Sequence, residues 1–254
     1  MKQTRTVDLN VDAGESFGSW RMGHDDELFP YMSSANLACG FHAGDPLTIR
    51  KTIELAKRHG VQVGAHPALP DLVGFGRRQI EASPDEVHAD VLYQLGAMGG
   101  MLRAQQMQLR HVSPHGALGW MTWNHEPTAR AFLRAMRDFD PGLSLVVLGG
   151  TVIEDIARKD GVRVVLLGFP ERGYLSNGRL APRTSEGAVI TDADQAAERA
   201  VKMVTQGLVQ TVEGESIEVE VDSLLIHGDN PAAPLIARKV HEAVTAAGVE
   251  VRAF

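Results

Sequence analysis

Five short apolar runs in this chain each end on a side chain that can transfer a proton. Imidazole and carboxylate groups act as general acids and bases, stabilise an oxyanion or bind a metal ion. Because parallel strands carry their chemistry at their carboxyl ends, polar residues at the ends of several buried strands are expected to face one pocket. These end residues are Asp12, His42, His66, His115 and Asp229, and His227 lies two positions before the last.

Some of these residues also have a simpler structural interpretation. Asp45 either orients His42 or caps the helix that follows it. Either His227 or Asp229 is a general acid or base, unless Asp229 is another helix cap. Glu15 either forms a carboxylate pair with Asp12 or belongs to an acidic turn. Small residues flank His42 and would let a ligand approach closely, so the segment around His42 is the sharpest local signal.

Other chemistry is disfavoured by the sequence. His111 stands near the start of its strand and is expected to be structural, and Cys39 is expected to be a small packed residue. The chain contains no GxxxxGK[ST] phosphate loop, no GxGxxG after a strand, no HExxH and no paired CxxC. A nucleotide site in this chain would therefore have to be built differently.

Strand and helix signals alternate along the chain. Apolar runs predict about seven strands, and periodic segments between them predict helices. This alternation predicts an α/β fold in which a parallel sheet is covered by outer helices, within one domain over residues 1–254. The predicted helices include Pro46 to His59, Ser83 to about Met107, one capped by Asn124, Val152 to Lys159, Thr191 to Met203 and Pro231 to Ala247.

Three segments depart from that alternation. Residues 208–221 predict a small surface hairpin around Glu213-Gly214. Residues 67–79 and 169–184 are longer than a simple connection needs, and loops of that length in a compact domain are usually functional or mobile. The first of these loops contains Arg77 and Arg78, and the second contains Arg183.

Composition limits the class of protein. The chain has 254 residues, 44% of them hydrophobic, and a formal net charge of -7, which argues against a nucleic-acid or anionic membrane surface as its main partner. Its single cysteine allows no intramolecular disulfide. The first residues lack the apolar stretch of a signal peptide, and no run approaches the about 18 apolar residues of a membrane span. These features predict a cytoplasmic protein.

The motifs of this chain closely resemble those of the LamB/YcsF family, from about Val7 to Gly248. The long segment around His42 is the most specific part of the resemblance. The matching segments are DLN (8–10), GESFG (14–18), SANLACGFHAGDP (34–46), GAHP (64–67), PDLVGFGRR (70–78), PHGAL (114–118) and HGDNP (227–231).

The resemblance implies a fold, an activity and partners. It implies a TIM-like barrel related to glycoside hydrolases and polysaccharide deacetylases. The family it points to is the A subunit of a bacterial ATP-dependent 5-oxoprolinase, which works with two further subunits similar to the halves of an allophanate-hydrolase-like protein. The site of ATP is left open and is expected on, or shared with, those partner subunits.

The implied substrate, 5-oxoproline, suggests roles for the candidate residues. Phosphorylation of the amide oxygen would remove amide resonance, after which water could attack the ring carbon and release glutamate. Asp12 or His42 would then activate water, and His66 and His115 would stabilise the oxyanion. Asp229 would be a further acid or base. The remaining candidates would bind substrate, with arginines on its carboxylate: Glu15, Asp45, Arg77, Arg78, Arg183 and His227.

Two alternatives are also consistent with the sequence. In a metal-dependent deacetylase-like hydrolase, Asp12, His42, His66 and His115 would bind a metal ion with a position left for water. In a non-catalytic role, the chain would only present the lactam to its partners. Gly119-Trp120 and Glu171 depart from the expected family pattern within candidate site loops, so they bear on substrate preference.

Overall fold

Alternating side chains on the first strand define the inside and the outside of a barrel. In the computed structural model, which describes residues 5–254, Asp8, Asn10 and Asp12 lie on one face of this strand and apolar residues lie on the other. All of them are buried, because the outer face packs under helices while the inner face lies inside the barrel.

The strands and helices alternate as the sequence predicts. The strands are β1 (Thr6–Ala13), β2 (Ser34–Ala38), β3 (Gln62–His66), β4 (Leu109–Val112), β5 (Ser144–Leu148), β6 (Val164–Gly168), β7 (Leu208–Gln210), β8 (Ser216–Glu218), β9 (Ser223–His227) and β10 (Glu250–Val251). The helices are α1 (Asp25–Leu28), α2 (Pro46–His59), α3 (Pro84–Ala104), α4 (Gly116–Asn124), α5 (Glu126–Phe139), α6 (Val152–Lys159), α7 (Ala193–Gln206) and α8 (Ala233–Ala246), with a 3₁₀ turn at Phe29–Tyr31.

Seven parallel strands close into a ring. Their order is β1-β2-β3-β4-β5-β6-β9, and β9 pairs with β1 to complete the barrel. Strand β10 pairs with the first residues of β1, and β7 and β8 form the predicted antiparallel hairpin. The prediction of a barrel with about seven strands is confirmed. Among residues 5–254, no helix is both long enough and apolar enough to cross a membrane.

Helix ends agree with the sequence where a local cap decides them. The Asp45 side chain caps α2, Gly60 ends that helix at φ 70°, and Ser83 and Glu86 form a capping box at α3. Other boundaries were wrong. Helix α3 stops at Ala104, α4 was not predicted at all, and Asn124 ends α4 instead of capping α5.

Hydrogen-bonded polar side chains fill part of the barrel interior, where branched apolar residues are usual. Asp8 accepts hydrogen bonds from the hydroxyl groups of Ser34 and Ser223 on the two strands beside it. Nearer the carboxyl ends, Asn36 donates to Asp12 and accepts from His111. The inner residues of this interior therefore make directional contacts from strand to strand, and two of these contacts, Asp8–Ser223 and Asp12–Asn36, join residues paired in the strand register.

Candidate active site

A cavity of about 420 Å³ lies at the carboxyl ends of the barrel strands. Asp12, His66 and His227 reach it from the ends of β1, β3 and β9, and His115 reaches it from the loop after β4. Its lining combines these groups with arginines and with apolar side chains. The apolar part includes Trp120, Trp123, Val146, Leu167, Phe169 and Leu225. The predicted shared pocket is thus present at the strand ends.

Asp12, His66 and His115 form one hydrogen-bonded group at the floor of the cavity. His66 Nε2 lies 3.4 Å from Asp12 Oδ1 and 3.0 Å from His115 Nδ1. Asn36 donates from Nδ2 to the same Asp12 oxygen at 2.9 Å. This group is buried apart from the surface it presents to the cavity, so its charges interact through a medium that screens less than water does.

His42 lies behind His115 and does not line the cavity. The two rings stack with centroids 3.8 Å apart and planes within 7° of each other. His42 Nε2 is 3.2 Å from Glu15 Oε1, whereas Nδ1 is buried and has no partner among the described residues. The residue that the sequence favours most therefore supports His115 from behind and makes no contact with the cavity itself.

Burial dominates the protonation of this inner layer. It lowers the pKa of His42 well below the usual value, with help from the nearby His66 charge. It lowers the pKa of His115 in the same way, together with His42. Burial and the Asp12 charge raise the pKa of Glu15. His42 and His115 therefore favour their neutral forms, and Glu15 favours its protonated form.

The geometry of this cluster does not fit a metal ion. Glu15, His42 and His115 offer ligand atoms within 4.8 Å of one another. A metal ion bound by an imidazole nitrogen lies in the ring plane, on the lone pair, at about 2.0–2.1 Å for zinc. Because the His42 and His115 rings are parallel and stacked, no single ion can lie in both planes. Both nitrogens of His115 are also already engaged in hydrogen bonds.

A second carboxylate–histidine pair, Glu171 and His227, lies on the other side of Asp12 from His66 and His115. Glu171 Oε1 accepts a hydrogen bond from His227 Nδ1 at 2.6 Å, and Oε2 accepts one from Asn230 at 3.0 Å. His227 stands directly beside Asp12 in the strand register, and its ring stacks on Phe169. Since Nδ1 carries the hydrogen, the neutral His227 ring has its free lone pair on Nε2.

Arginines supply the positive charge at the cavity. Arg77 lies over the Phe75 ring and pairs with Asp229 at 2.6 Å, while Arg183 shows no hydrogen bond to any of residues 5–254. Arg172 is buried and donates to the backbone oxygens of Ala181 and Ala188. Burial lowers the pKa of Arg172 to about 10. Arg172 therefore holds the loop that carries Arg183.

Some predicted substrate-binding residues have other partners. Asp45 caps α2, accepting from the backbone nitrogens of Leu47 and Thr48, so the predicted helix cap is present. Arg78 pairs with Asp71 and lies outside the cavity, with 63% of its side chain exposed. Glu15 and Asp229 also lie outside the cavity lining. Asp229 pairs with Arg77, which lines the cavity, whereas Glu15 pairs with His42 behind His115.

Several residues at the site were not among the predicted site residues. Helix α4 brings Trp123 to the cavity together with Gly119 and Trp120, which the sequence marked only as a departure from the family pattern, and the i, i+3 spacing of the two tryptophans was the available signal. Arg172 falls within the long 169–184 loop with no sequence signal of its own, and Glu171 was marked only as a departure from the family pattern. No local signal links Glu171 to His227, because 56 residues separate them.

Protein comparisons agree with this architecture. Over 98% of its length, the chain is 58% identical to the A subunit of 5-oxoprolinase from Thermus thermophilus, of which it covers 99%. It superposes on the crystal structure of a lactam utilization protein from Thermus thermophilus with a TM-score of 0.94 and 57% identity, covering 98% of this chain and all of that one.

A more distant comparison concerns the fold alone. A peptidoglycan deacetylase from Bacillus subtilis matches with a TM-score of 0.50 and 12% identity, over 98% of this chain and 88% of that one. The predicted deacetylase-like barrel is confirmed at this level. The model of the LamB/YcsF family matches residues 7–254. The chain therefore belongs to the LamB/YcsF family.

Proposed function

We propose that this chain is the lactam-opening subunit of an ATP-dependent 5-oxoprolinase, which converts 5-oxo-L-proline to L-glutamate with release of ADP and phosphate. The observation that carries the proposal is the hydrogen bond between buried Glu171 and His227 Nδ1, which leaves the Nε2 lone pair free on a residue that lines the same cavity as Arg183. The name of the Thermus relative, the A subunit of 5-oxoprolinase, supports the same reaction.

The chemistry requires activation of a weak electrophile. Transfer of the γ-phosphoryl group of ATP to the amide oxygen makes the ring carbon electrophilic. Water then adds to that carbon, a base takes one of its protons, and the ring carbon–nitrogen bond breaks as the nitrogen gains a proton. The product is an acyl phosphate of glutamate, which a second water hydrolyses to glutamate and phosphate. The reaction thus needs both a base and an acid beside the ring.

His227 is the base in this proposal. The residue lines the cavity and its Nε2 lone pair is free, while Glu171 holds the ring in the required tautomer and stabilises the imidazolium that forms. Asp12, adjacent to His227 in the strand register, orders the attacking water. These roles replace His42, which has no contact with the cavity, as the group that activates water.

The residues that line the cavity form two groups, according to the part of the substrate that they bind. Arg183 and Arg77 bind the substrate carboxylate, for which a guanidinium offers two parallel donors. Trp120, Trp123 and Phe169 contact the ring methylenes, whose transfer out of water favours binding. Asp229 keeps Arg77 oriented at the rim through their 2.6 Å ion pair.

ATP and the phosphoryl transfer belong to a larger assembly in this proposal. The sequence contains no glycine-rich phosphate loop, so ATP binds on, or is shared with, two further subunits similar to the halves of an allophanate-hydrolase-like protein. The relative's name, which describes one component of an enzyme, supports the existence of partners. The single buried cysteine supports a reduced, cytoplasmic setting.

Reconstitution tests the proposal. The chain is purified with the other two 5-oxoprolinase subunits of the same genome, and glutamate release from 5-oxoproline is measured with and without ATP. We expect ATP-dependent release that His227→Gln reduces at least about 100-fold in kcat, the scale of general base catalysis, while the three subunits still assemble. His59→Gln, on an exposed helix end, is the matched control.

Two outcomes would contradict the proposal. Full activity of the His227→Gln assembly would leave the chain with the role of presenting the lactam only. Loss of activity in chelator, with a stoichiometric metal found by elemental analysis of the purified chain, would favour the metal-dependent hydrolase. The stacked His42 and His115 rings argue against that second outcome.

A further inference from the structure

Two cavity histidines, His66 and His115, each donate a hydrogen bond from one ring nitrogen to a backbone carbonyl group. His66 Nδ1 lies 2.7 Å from the oxygen of Ser113, and His115 Nε2 lies 2.8 Å from the oxygen of Phe75. A carbonyl oxygen only accepts hydrogen bonds, so each of these ring nitrogens must carry a hydrogen. A neutral imidazole has one N–H hydrogen, and in each ring this contact already uses it.

The two remaining nitrogens face each other. His66 Nε2 and His115 Nδ1 are 3.0 Å apart, a hydrogen-bond distance that requires one hydrogen between them. Because each neutral ring already has its one hydrogen on the nitrogen that donates to a carbonyl group, two neutral rings have no hydrogen left for this contact. We infer that the His66–His115 pair holds a third proton and carries one positive charge in the resting protein, and that this proton is the acid for lactam opening.

A buried carboxylate balances that charge. Asp12 Oδ1 is 3.4 Å from His66 Nε2, and no other ring nitrogen lies so close to it among the described residues. The proton therefore resides on His66, which donates to His115 and faces Asp12. The lowered pKa of His115, caused first by burial, agrees with a neutral His115 that accepts.

The surroundings of the His66–His115 pair favour a single positive charge on the pair. The ionisable groups facing it come from the loops after β1, β2 and β3, from the end of β1 and from the barrel interior, and they are Asp12, Glu15, His42, Arg77 and His111. Burial, the charge on His66 and the charge on Arg77 oppose further protonation of His115. Loss of the third proton would leave two lone pairs facing each other across 3.0 Å, so the neutral pair must rearrange.

The acid role rests on the proposed function. Asp12 stands between the pair and His227 in the barrel, so the acid and the base flank one carboxylate in the same cavity. As the ring carbon–nitrogen bond breaks, the pair gives its proton to the departing nitrogen, and solvent later restores that proton. An acid and a base can act at the same pH only if their surroundings favour opposite protonation states, as they do for the His66–His115 pair and His227.

Nitrogen NMR of the full chain tests the proton count without any activity. Histidine is labelled with ¹⁵N, and His66 and His115 are assigned with His66→Gln and His115→Gln. At pH 7.5, about one unit above the ordinary histidine pKa of about 6.5, we expect both His66 nitrogens to be protonated and His115 to be neutral. Two neutral rings at this pH, in a chain with native circular dichroism, would overturn the inference.

Removal of the Asp12 charge provides a second test of the inference. Asp12→Asn should shift loss of the proton shared by the pair to lower pH, because the variant lacks the neighbouring negative charge, whereas His59→Gln, on an exposed helix end, should leave it unchanged. An unchanged titration in Asp12→Asn would mean that Asp12 does not hold the proton.

The pH profile of the reconstituted enzyme tests the acid role separately. Since the pair must be protonated to act, kcat should fall at high pH with the titration seen by NMR, and His115→Gln should abolish or move this limb. An active enzyme whose high-pH limb is unaltered in His115→Gln would refute the acid role. Failure of the native assembly to open the lactam would instead refute the proposed function, and the NMR result would stand.

Discussion

Glu171 Oε1 accepts two hydrogen bonds from His227, one from Nδ1 at 2.6 Å and one from its backbone nitrogen at 3.0 Å. The carboxylate is buried, and hydrogen bonds from His227 and Asn230 lower its pKa despite the burial that raises it. A charged Glu171 thus fixes both the tautomer and the orientation of His227. This pair gives the cavity a base whose position depends on a residue from a different loop.

Removal of the Glu171 charge should slow the reaction without weakening substrate binding. Glu171→Gln keeps the shape of the side chain but loses the charge that stabilises a protonated His227, so we expect kcat of the assembled enzyme to fall about 10–100-fold with KM nearly unchanged. Steady-state glutamate release measures both constants. Glu126→Gln, in an exposed pair with Arg130, is the matched control. A selective rise in KM would place Glu171 in substrate binding instead.

Arg183 should contribute mainly to affinity. Arg183→Ala removes a charged hydrogen bond to the substrate carboxylate. Because this bond lies at the partly exposed rim of the cavity, we expect KM for 5-oxoproline to rise about 10-fold, which corresponds to about 1.4 kcal/mol of binding free energy. Arg50→Ala, in an exposed pair on α2, serves as the control. Arg78→Ala provides a contrast, because Arg78 pairs with Asp71 outside the cavity and should leave KM within about 2-fold. Equal effects of Arg78 and Arg183 would contradict this arrangement.

Asp45 should stabilise the fold and play no direct part in the reaction. Loss of the cap in Asp45→Ala should cost about 1 kcal/mol and lower Tm by about 2–4 °C, whereas Asp45→Asn, which still caps, should cost less. Hydrogen bonds from Thr48 and Gly18 lower the pKa of Asp45 from 3.8 to about 2. A lowered pKa stabilises the folded state above pH 3.8, and this stabilisation is lost as pH falls toward 2.

Thermal unfolding between pH 7 and pH 2 checks the Asp45 prediction. The difference in Tm between the native chain and Asp45→Ala should be largest near neutral pH and shrink below pH 3.8. A difference that grows on acidification would mean that Asp45 is not stabilised as a carboxylate.

Gly64 should resist substitution because a barrel side chain occupies the space beside it. A Cβ at Gly64 would overlap the His111 ring, so Gly64→Ala should destabilise the fold by about 1–3 kcal/mol in urea unfolding. Gly96→Ala, in an open position on α3, should be neutral or slightly stabilising. If His111 is the obstacle, Gly64→Ala should cost less in a His111→Ala background than in the native chain.

The barrel was predictable because its signals are local. Asp45, Gly60 and the Ser83–Glu86 capping box each fix a helix end within a few residues, and the apolar runs fix the strands. Helix α4 was missed because no side chain caps its start, which is held by the bond from Ala117 nitrogen to the Gly76 oxygen. The two residues in that bond lie far apart in the sequence.

The candidate site was predictable only in part. Strand position alone placed Asp12, His66 and His227 together, since parallel strands share one carboxyl edge. His42 comes from the same edge, but stacking on His115 and contact with Phe75 cover it. Sequence neighbours Arg77 and Arg78 could not be distinguished, because the choice depends on Asp71 and Asp229 in three dimensions.

The bond from Ser223 to Asp8, which joins residues 215 positions apart, sets a requirement on the order of folding. Strand β1 is synthesised first but gains its second neighbour, β9, only after nearly the whole chain has emerged. During that interval β1 and β6 are open edges, and closure carries the large entropic cost of a distant contact. The inward carboxylates of Asp8 and Asp12 disfavour pairing of the early edge with another chain, so the polar interior also protects the unfinished barrel from aggregation.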